Sequence, residues 1–291
     1  MIPPAFDYLA PETLSEAVQL LSQNGGAKIL AGGQSLIPMM RFRLAEPEVL
    51  IDLNRLTEME YIREEDGLLK IGALTREAMI DRSSLVRERY PLLADTARVI
   101  ADPLVRNMST VGGNLAHADP ANDHPATMLA YGAEIVATGP QGERTIPVSE
   151  FFLGPFESSL SPDEILTEIR IPAPPAKSGG AYKKFERKVG DYATAAVAVQ
   201  VTLDEYGNCA QAGIGLTNVG ITPIRAIAAE QALVGQPLSD AAIREAARLT
   251  SEAAEPESDQ RGSAEYKRHL VRTLTVRALR AAAERAQGGS L

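Results

Sequence analysis

Ala27-Lys28-Ile29-Leu30-Ala31-Gly32-Gly33-Gln34-Ser35-Leu36 is the stretch that decides how the chain folds. Its first five residues, apolar except for Lys28, suit a short strand, and the paired glycines end that strand in a turn. Leu36 to Leu44 then keeps helical spacing, with Ser35 as its expected cap. Upstream, Thr13-Leu14-Ser15-Glu16 has the capping-box pattern. Leu14, Ala17, Val18 and Leu21 lie on one helical face, and Asn24-Gly25-Gly26 stops the run. Downstream, Glu48 to Leu53 reads as a second strand. The unit is a β–turn–α–β element whose turn is made of glycines.

Further along, Leu68–Ala73 is a strand, and helical segments lie near Arg76–Asp81 and Leu92–Ile100. Ser109-Thr110-Val111-Gly112-Gly113-Asn114 repeats the theme of a strand running into a double-glycine turn. Asp123, followed by Pro125, is placed to cap a short helix. Glu134–Thr138 and Arg144–Val148 form a hairpin, and Glu164–Ile171 is another strand. The Pro/Gly/Ser run from Pro172 to Gly180 marks the best domain boundary. Beyond it come a hairpin (Ala195–Leu203, Ala210–Thr217) and two helices, Ser239–Ala253 and Ala264 to about Gln287. The class is α+β, in three segments: residues 1–56, 57–176 and 177–291.

Composition narrows the chemistry. In 291 residues, 29 basic and 38 acidic side chains give a net charge of −9. This balance argues against a partner with a phosphate backbone, so no nucleic acid is expected. The single cysteine, Cys209, excludes an internal disulfide and any four-thiolate zinc or iron–sulfur site in this chain. His117, His124 and His269 are the only histidines, with no HExxH spacing, so no metal site is expected. Neither a signal peptide nor an apolar run of the ~18 residues of a membrane span is visible. The expectation is a soluble, cytoplasmic protein with no membrane span.

The glycine pairs carry the functional argument. Glycine brings backbone N–H groups close to a ligand with no Cβ in the way, and successive N–H groups form an anion-binding nest. Two facing nests suit a pyrophosphate. Either pair alone reads first as an ordinary tight turn. There is no GxxxxGK[ST] and no GxGxxG, so P-loop and Rossmann-type nucleotide binding are disfavoured. Nor is there a GxSxG elbow, and Cys209 reads as a structural side chain.

Ala31-Gly-Gly-Gln-Ser35 with Leu-Ile-Pro-Met after it, and Ser109-Thr-Val-Gly-Gly-Asn114, resemble the two flavin signatures of the molybdenum hydroxylase FAD subunits. That family includes the medium subunits of carbon monoxide dehydrogenase and of xanthine-dehydrogenase-like enzymes. Glu164–Pro172 and Arg187-Lys-Val-Gly-Asp-Tyr-Ala193 extend the resemblance over the whole chain. It implies a two-part FAD-binding domain of the p-cresol methylhydroxylase type followed by a smaller α+β C-terminal domain. It also implies that Ala31, Gly32, Gly33, Gln34, Ser35 and Leu36, with Thr110, Gly112, Gly113 and Asn114, hold the FAD pyrophosphate, mainly through main-chain N–H groups. The resemblance further implies that Lys28 contacts the cofactor, that Asp123 accepts from its hydroxyls and that Leu166 lies against it. It also implies that Lys184 (Lys183 is its neighbour) is near the flavin ring and that Tyr192 covers the ring's face. His117 and His124 are read as structural, and the Met39-Met40 run with Phe42 as core in preference to interface. Where Gln34 stands, carbon monoxide dehydrogenase members are expected to carry His.

By the same resemblance the chain has no substrate-activating residue of its own. A large partner subunit carries a molybdopterin-type molybdenum cofactor and a small one two [2Fe–2S] clusters, in a dimer of heterotrimers. FAD passes electrons on to an acceptor such as a quinone, NAD or oxygen. The alternatives are a self-sufficient FAD-dependent reductase of the same fold and a flavin-free binding or scaffold protein.

Overall fold

The computed structural model describes residues 2–289. Strands β1 (Asp7–Leu9), β2 (Lys28–Leu30) and β3 (Val49–Asp52) form a parallel sheet in the order β1-β3-β2. Parallel strands need crossover connections. Helix α1 (Leu14–Gln23) makes the first and α2 (Leu36–Arg41) the second. At the start of α1 the Thr13 hydroxyl accepts from the Glu16 N–H, but the Glu16 carboxylate returns to the Glu12 N–H rather than to that of Thr13. The N-cap half of the expected box therefore forms in its usual place, and the return bond falls one residue before it.

The middle of the chain builds an antiparallel sheet from β4 (Ile62–Glu65), β5 (Leu68–Gly72), β6 (Glu134–Gly139), β7 (Gly142–Pro147) and β10 (Ile165–Pro172), in the order β4-β5-β10-β6-β7. A two-stranded ribbon, β8 (Phe152–Gly154) with β9 (Glu157–Ser158), stands beside it. Between β5 and β6 lie helices α3 (Glu77–Arg82), α4 (Ser84–Arg89), α5 (Pro91–Val99), α6 (Pro103–Met108), α7 (Val111–His117) and α8 (His124–Tyr131).

The last part folds as β11 (Ser178–Phe185), β12 (Ala195–Leu203), β13 (Cys209–Thr217) and β14 (Ile224–Arg225), a four-stranded antiparallel sheet. Helices α9 (Ile227–Leu233), α10 (Asp240–Ala253) and α11 (Ala264–Ala286) follow. The two faces of this sheet enter different cores, as the two-residue period of a strand requires. Tyr182, Ala196 and Ala198 join the core shared with the first two segments, while Ala181, Val197 and Val199 pack with Leu274 and Leu279 of α11. Every residue of α8 is buried. That helix lies so close to β13 that a Cβ on Gly213 or Gly215 would fall about 2 Å from the carbonyl oxygens of Ala130 and Ala126.

Three expectations change. Gly112-Gly113 is not a turn after a strand; both residues lie in the first turn of α7, behind Thr110 as N-cap. Asp123 precedes α8 but makes no side-chain cap bond, and neither does Ser35 before α2. The Pro172–Gly180 run is not wholly a linker, since its last three residues, Ser178–Gly180, open β11.

Candidate functional site

A cleft of about 660 Å³, within the range of cofactor sites, is lined by residues of all three segments. All fifteen residues singled out in the sequence line it. The first glycine turn reaches it from the end of β2. Gly33 has φ +72°, a conformation that glycine adopts without strain. Among the described residues, the N–H groups of Gly32, Gly33, Gln34 and Ser35 donate to no protein acceptor. They form a row of unclaimed donors in the cleft wall, which is the arrangement an anion needs.

The two signatures touch. A Cβ on Gly32 would fall 2.3 Å from the Met108 carbonyl oxygen and 2.7 Å from Ser109 Cα. Asn54 and Arg76 clamp the junction. The Asn54 amide donates to Ala31 O at 2.9 Å, and the Arg76 guanidinium donates both to Asn54 Oδ1 and to Met108 O.

The second pair works differently from the first. The Val111 and Gly112 N–H groups donate to Thr75 O (3.1 Å) and Ala73 O (3.0 Å), Gly113 N–H to the Thr110 hydroxyl (3.2 Å), and Asn114 N–H to Thr110 O (2.9 Å). These amides hold α7 in place instead of lying open in the cleft, which corrects the expectation of a second main-chain nest. The reason for glycine at 112 is steric: a Cβ there would lie 2.6–2.8 Å from Ala73 Cβ, O and Cα. What α7 leaves open is a side chain. Asn114 Oδ1 is buried, without a partner, in a residue that lines the cleft.

Asp123 forms a polar floor. Its carboxylate accepts from Tyr182 Oη at 2.6 Å and from Lys184 Nζ at 3.0 Å. Lys184 also donates to Val99 O (3.1 Å) and lies 3.3 Å from Glu186. Strand parity distinguishes the two adjacent lysines: Lys184 shares a face with Tyr182, and its side chain is 3% exposed. Burial pushes the Asp123 carboxyl above its ordinary value, opposed by the Lys184 charge and the Tyr182 and Lys184 hydrogen bonds. The Tyr182 hydroxyl is raised well above its own, first by burial and then by Asp123. As two carboxylates surround one ammonium, Lys184 brings no unpaired positive charge to the cleft.

The remaining predicted residues sit around this frame. Leu166 precedes a β-bulge in β10 (its register shifts between Leu166 and Glu168), a device that re-aims side chains beside sites. Lys28 stands on the edge strand β2, and Tyr192, 44% exposed, is at the rim. Sequence reading did not single out Asn122, Glu164, Ala101 or Asp191, which also line the cleft. Asn122 donates to Asn114 O, and Glu164 is gripped by Arg144 at 2.6 and 2.8 Å. Ala101 has φ +47°, a backbone state its sequence does not announce. His117 lines the cleft and packs against Phe156 in a tilted ring pair with centroids 5.1 Å apart, and burial lowers its pKa. His124 is fully buried and 2.7 Å from Glu77. Cys209 is buried, its thiol pushed up to about 11 by burial, as an inert structural side chain should be. Of the Met39-Met40/Phe42 run, Met40 is core, Met39 lines the cleft and Phe42 is 67% exposed.

The fold and the open row of amides define a binding protein whose cleft is ready for an anionic group. Residues 4–174 match the family model described as the FAD binding domain in molybdopterin dehydrogenase, and residues 180–282 match that of the CO dehydrogenase flavoprotein C-terminal domain. The chain belongs to the FAD-binding medium subunits of the molybdenum hydroxylase family. It is 46% identical over 284 residues to the carbon monoxide dehydrogenase medium chain of Hydrogenophaga pseudoflava, covering 97% of this chain and 98% of that one. Among solved structures, the carbon monoxide dehydrogenase of the same organism, in a form lacking the Mo-pyranopterin moiety of the molybdenum cofactor, superimposes with TM-score 0.95. The identity is 48%, covering 98% of this chain and 99% of that one. Quinoline 2-oxidoreductase from Pseudomonas putida 86 gives TM-score 0.92 at 34% identity, covering 98% and 99%. Among the described residues no helix is long and apolar enough to cross a membrane, and no cluster of potential metal ligands occurs. The residues fit FAD: the cleft offers unclaimed amides for an anionic group and a buried, partnerless acceptor at Asn114 for a hydroxyl or amine.

Proposed function

We propose that this chain is the electron-transfer subunit of a molybdenum hydroxylase complex, assembled with a large molybdenum-cofactor subunit and a small subunit carrying two [2Fe–2S] clusters. The observation that carries this reading is the single cleft lined by both flavin signatures and by Asp123, Lys184 and Tyr192, in a chain whose one cysteine cannot ligate a cluster. Bound FAD supplies a two-electron store between one-electron donors and an external acceptor (a quinone, NAD or oxygen).

The chain's own work is binding and tuning. The amides of Gly32 to Ser35 hold the pyrophosphate and Asn114 takes a polar group of the cofactor. Asp123 orients cofactor hydroxyls while it stays paired to Lys184. Leu166 and Leu36 give apolar contact, Lys28 adds charge at the edge, and Tyr192 covers the rim. Residues 1–56 and 57–176 act as the two halves of the FAD domain and 177–291 as the C-terminal domain. The related structures share this shape although their enzymes are named for carbon monoxide and for quinoline, so substrate choice belongs to the large partner. The complex works in the cytoplasm as a dimer of heterotrimers.

Purification of the untagged protein from its host tests the reading. Flavin and iron–sulfur absorption, with two further polypeptides, is the expected result. Flavin alone would indicate the self-sufficient reductase, and a colourless lone chain that takes up no FAD would overturn both.

A further inference from the structure

The connection between β11 and β12 is longer than a tight hairpin needs, and such loops are commonly functional. It is closed at its base by the Thr194 N–H donating to Phe185 O at 2.7 Å, and it carries Gly190, Asp191 and Tyr192 into the cleft wall. The loop is held from outside at several points, among them the Asn218 side-chain amide, which donates to Ala193 O at 2.5 Å, and two contacts that flank Tyr192. On one side Gly190 (φ +80°) packs so closely on the Ala101 carbonyl that a Cβ would fall 2.7 Å from its oxygen. On the other, Arg261 reaches across from the segment between α10 and α11, donating to Tyr192 O at 2.6 Å and to Asp191 Oδ1 at 3.3 Å.

Arg261 is itself fixed. Its N–H donates to Asp259 Oδ1 at 2.8 Å, and Asp259 Oδ2 accepts from Lys267 Nζ at 2.8 Å, a lysine whose side chain is only 4% exposed. Lys267 also donates to Glu257 O at 3.0 Å, so the base of α11 grips this segment at two points. The Arg261 side chain is 19% exposed and that of Asp191 11%, which shelters their contact from solvent screening. A guanidinium presents its donors in a rigid fork, and here two prongs bind one backbone carbonyl and one carboxylate on successive residues.

We propose that Arg261 is a positioning residue for the cofactor cleft, clasping the β11–β12 loop so that Tyr192 stays at the rim over the bound flavin. The inference rests on the FAD reading of the cleft and adds to it a residue of the C-terminal segment, outside the cleft, that controls how firmly the flavin is covered. No residue between α10 and α11 touches the cleft, so Arg261 acts only through Asp191 and Tyr192.

The test uses the FAD-loaded complex purified from its host with wild-type chain, Arg261→Ala, Arg261→Lys, Tyr192→Ala and the Arg261→Ala/Tyr192→Ala double variant. FAD release is followed by the rise in free-flavin fluorescence, and flavin exposure by iodide quenching. Loss of a charge-assisted pair predicts release about tenfold faster in Arg261→Ala, with stronger quenching. Lysine, a point donor, restores less than half of the effect. The double variant releases FAD no faster than Tyr192→Ala alone, which a merely stabilising arginine would not do. If Arg261→Ala does not accumulate, Asp191→Ala removes one of the two acceptors and must accelerate release by a smaller factor. Release at the wild-type rate, or effects of Arg261 and Tyr192 that simply multiply, would overturn the clasp while leaving the FAD reading intact. A wild-type complex without FAD would overturn that reading, and the clasp with it.

Discussion

At the scale of single residues, the floor of the cleft is where burial makes chemistry costly. Asp123 and Tyr182 are buried, the Lys184 side chain is 3% exposed, and the Asp123 carboxylate is the partner that both of the others bond. Removing one member of a buried pair strands the other without compensation. Asp123→Ala is therefore expected to destabilise the protein by about 3 kcal/mol in urea unfolding and to abolish FAD retention. Asp123→Asn, which keeps an acceptor for Tyr182, should cost about half as much. An equal cost for both would show that the lost carboxylate charge beside Lys184 carries the whole effect and the Tyr182 hydrogen bond none of it. Glu77 and His124 form a second pair, both fully buried. Glu77→Ala leaves the buried His124 without its hydrogen-bond partner and should cost about 1–3 kcal/mol with little direct effect on the cleft, which neither residue lines. This division was only half legible in the sequence. Asp123 stood out as a capping residue before a proline, and its resemblance to a family aspartate pointed at a cofactor. Its true partners are 59 and 61 residues away, and no local pattern announces them.

Among the elements, the two glycine pairs looked alike as sequence and differ as structure. The strand–turn–helix at Ala27–Leu36 follows from spacing and turn chemistry, which act locally, and it folds that way. Gly112-Gly113 lies in a helix because Thr110 caps it and Ala73 leaves no room for a side chain, and the second of these causes is a tertiary contact. The contrast predicts unequal substitutions. Gly112→Ala drives a Cβ into the Ala73 backbone and should cost about 1–3 kcal/mol together with FAD content. Gly113→Ala meets only the Thr110 hydroxyl inside 3 Å, so its cost in thermal unfolding should be the smaller of the two. The Glu164 segment at the start of β10 gives a pH-dependent case. Arg144, in a paired hydrogen bond, holds the Glu164 carboxyl below its ordinary value although burial opposes it. A depressed carboxyl contributes stability above its unfolded pKa and loses it as pH falls through the folded one. Arg144→Ala should thus be less stable than wild type at pH 7 by no more than about 1 kcal/mol, since Arg144 is half exposed. The gap should narrow below the ordinary glutamate range as Glu164 protonates in both proteins. A gap that stays constant with acidification would assign the loss to packing by the arginine stem instead.

On the scale of the whole molecule, the cleft takes one wall from each segment, and this shapes how cofactor binding propagates. The middle segment and the C-terminal sheet are already fused through α8, which lies against Gly213 and Gly215 of β13, and through a core that runs from Ile71 and Leu92 into Tyr182 and Ala198. The first segment shares that core through Ala17, Val18 and Leu21 of α1 and Ile51 and Leu53 at β3. Its glycine turn, however, offers amides with no protein partner and meets the rest through the Asn54–Arg76 clamp. Backbone donors without partners exchange with solvent quickly until a ligand takes them. FAD loading is therefore expected to slow deuterium exchange at Gly32 to Ser35 by tenfold or more, an order-of-magnitude figure for roughly 1.4 kcal/mol of added protection. The amides of Val111 to Asn114, already bonded within the protein, should change little, and those of α11 should not change at all. The opposite pattern, with protection at Val111–Asn114 and none at Gly32–Ser35, would move the phosphate site to the second signature. It would also make the first turn a packing device, which its contact with Met108 and Ser109 alone would then have to justify.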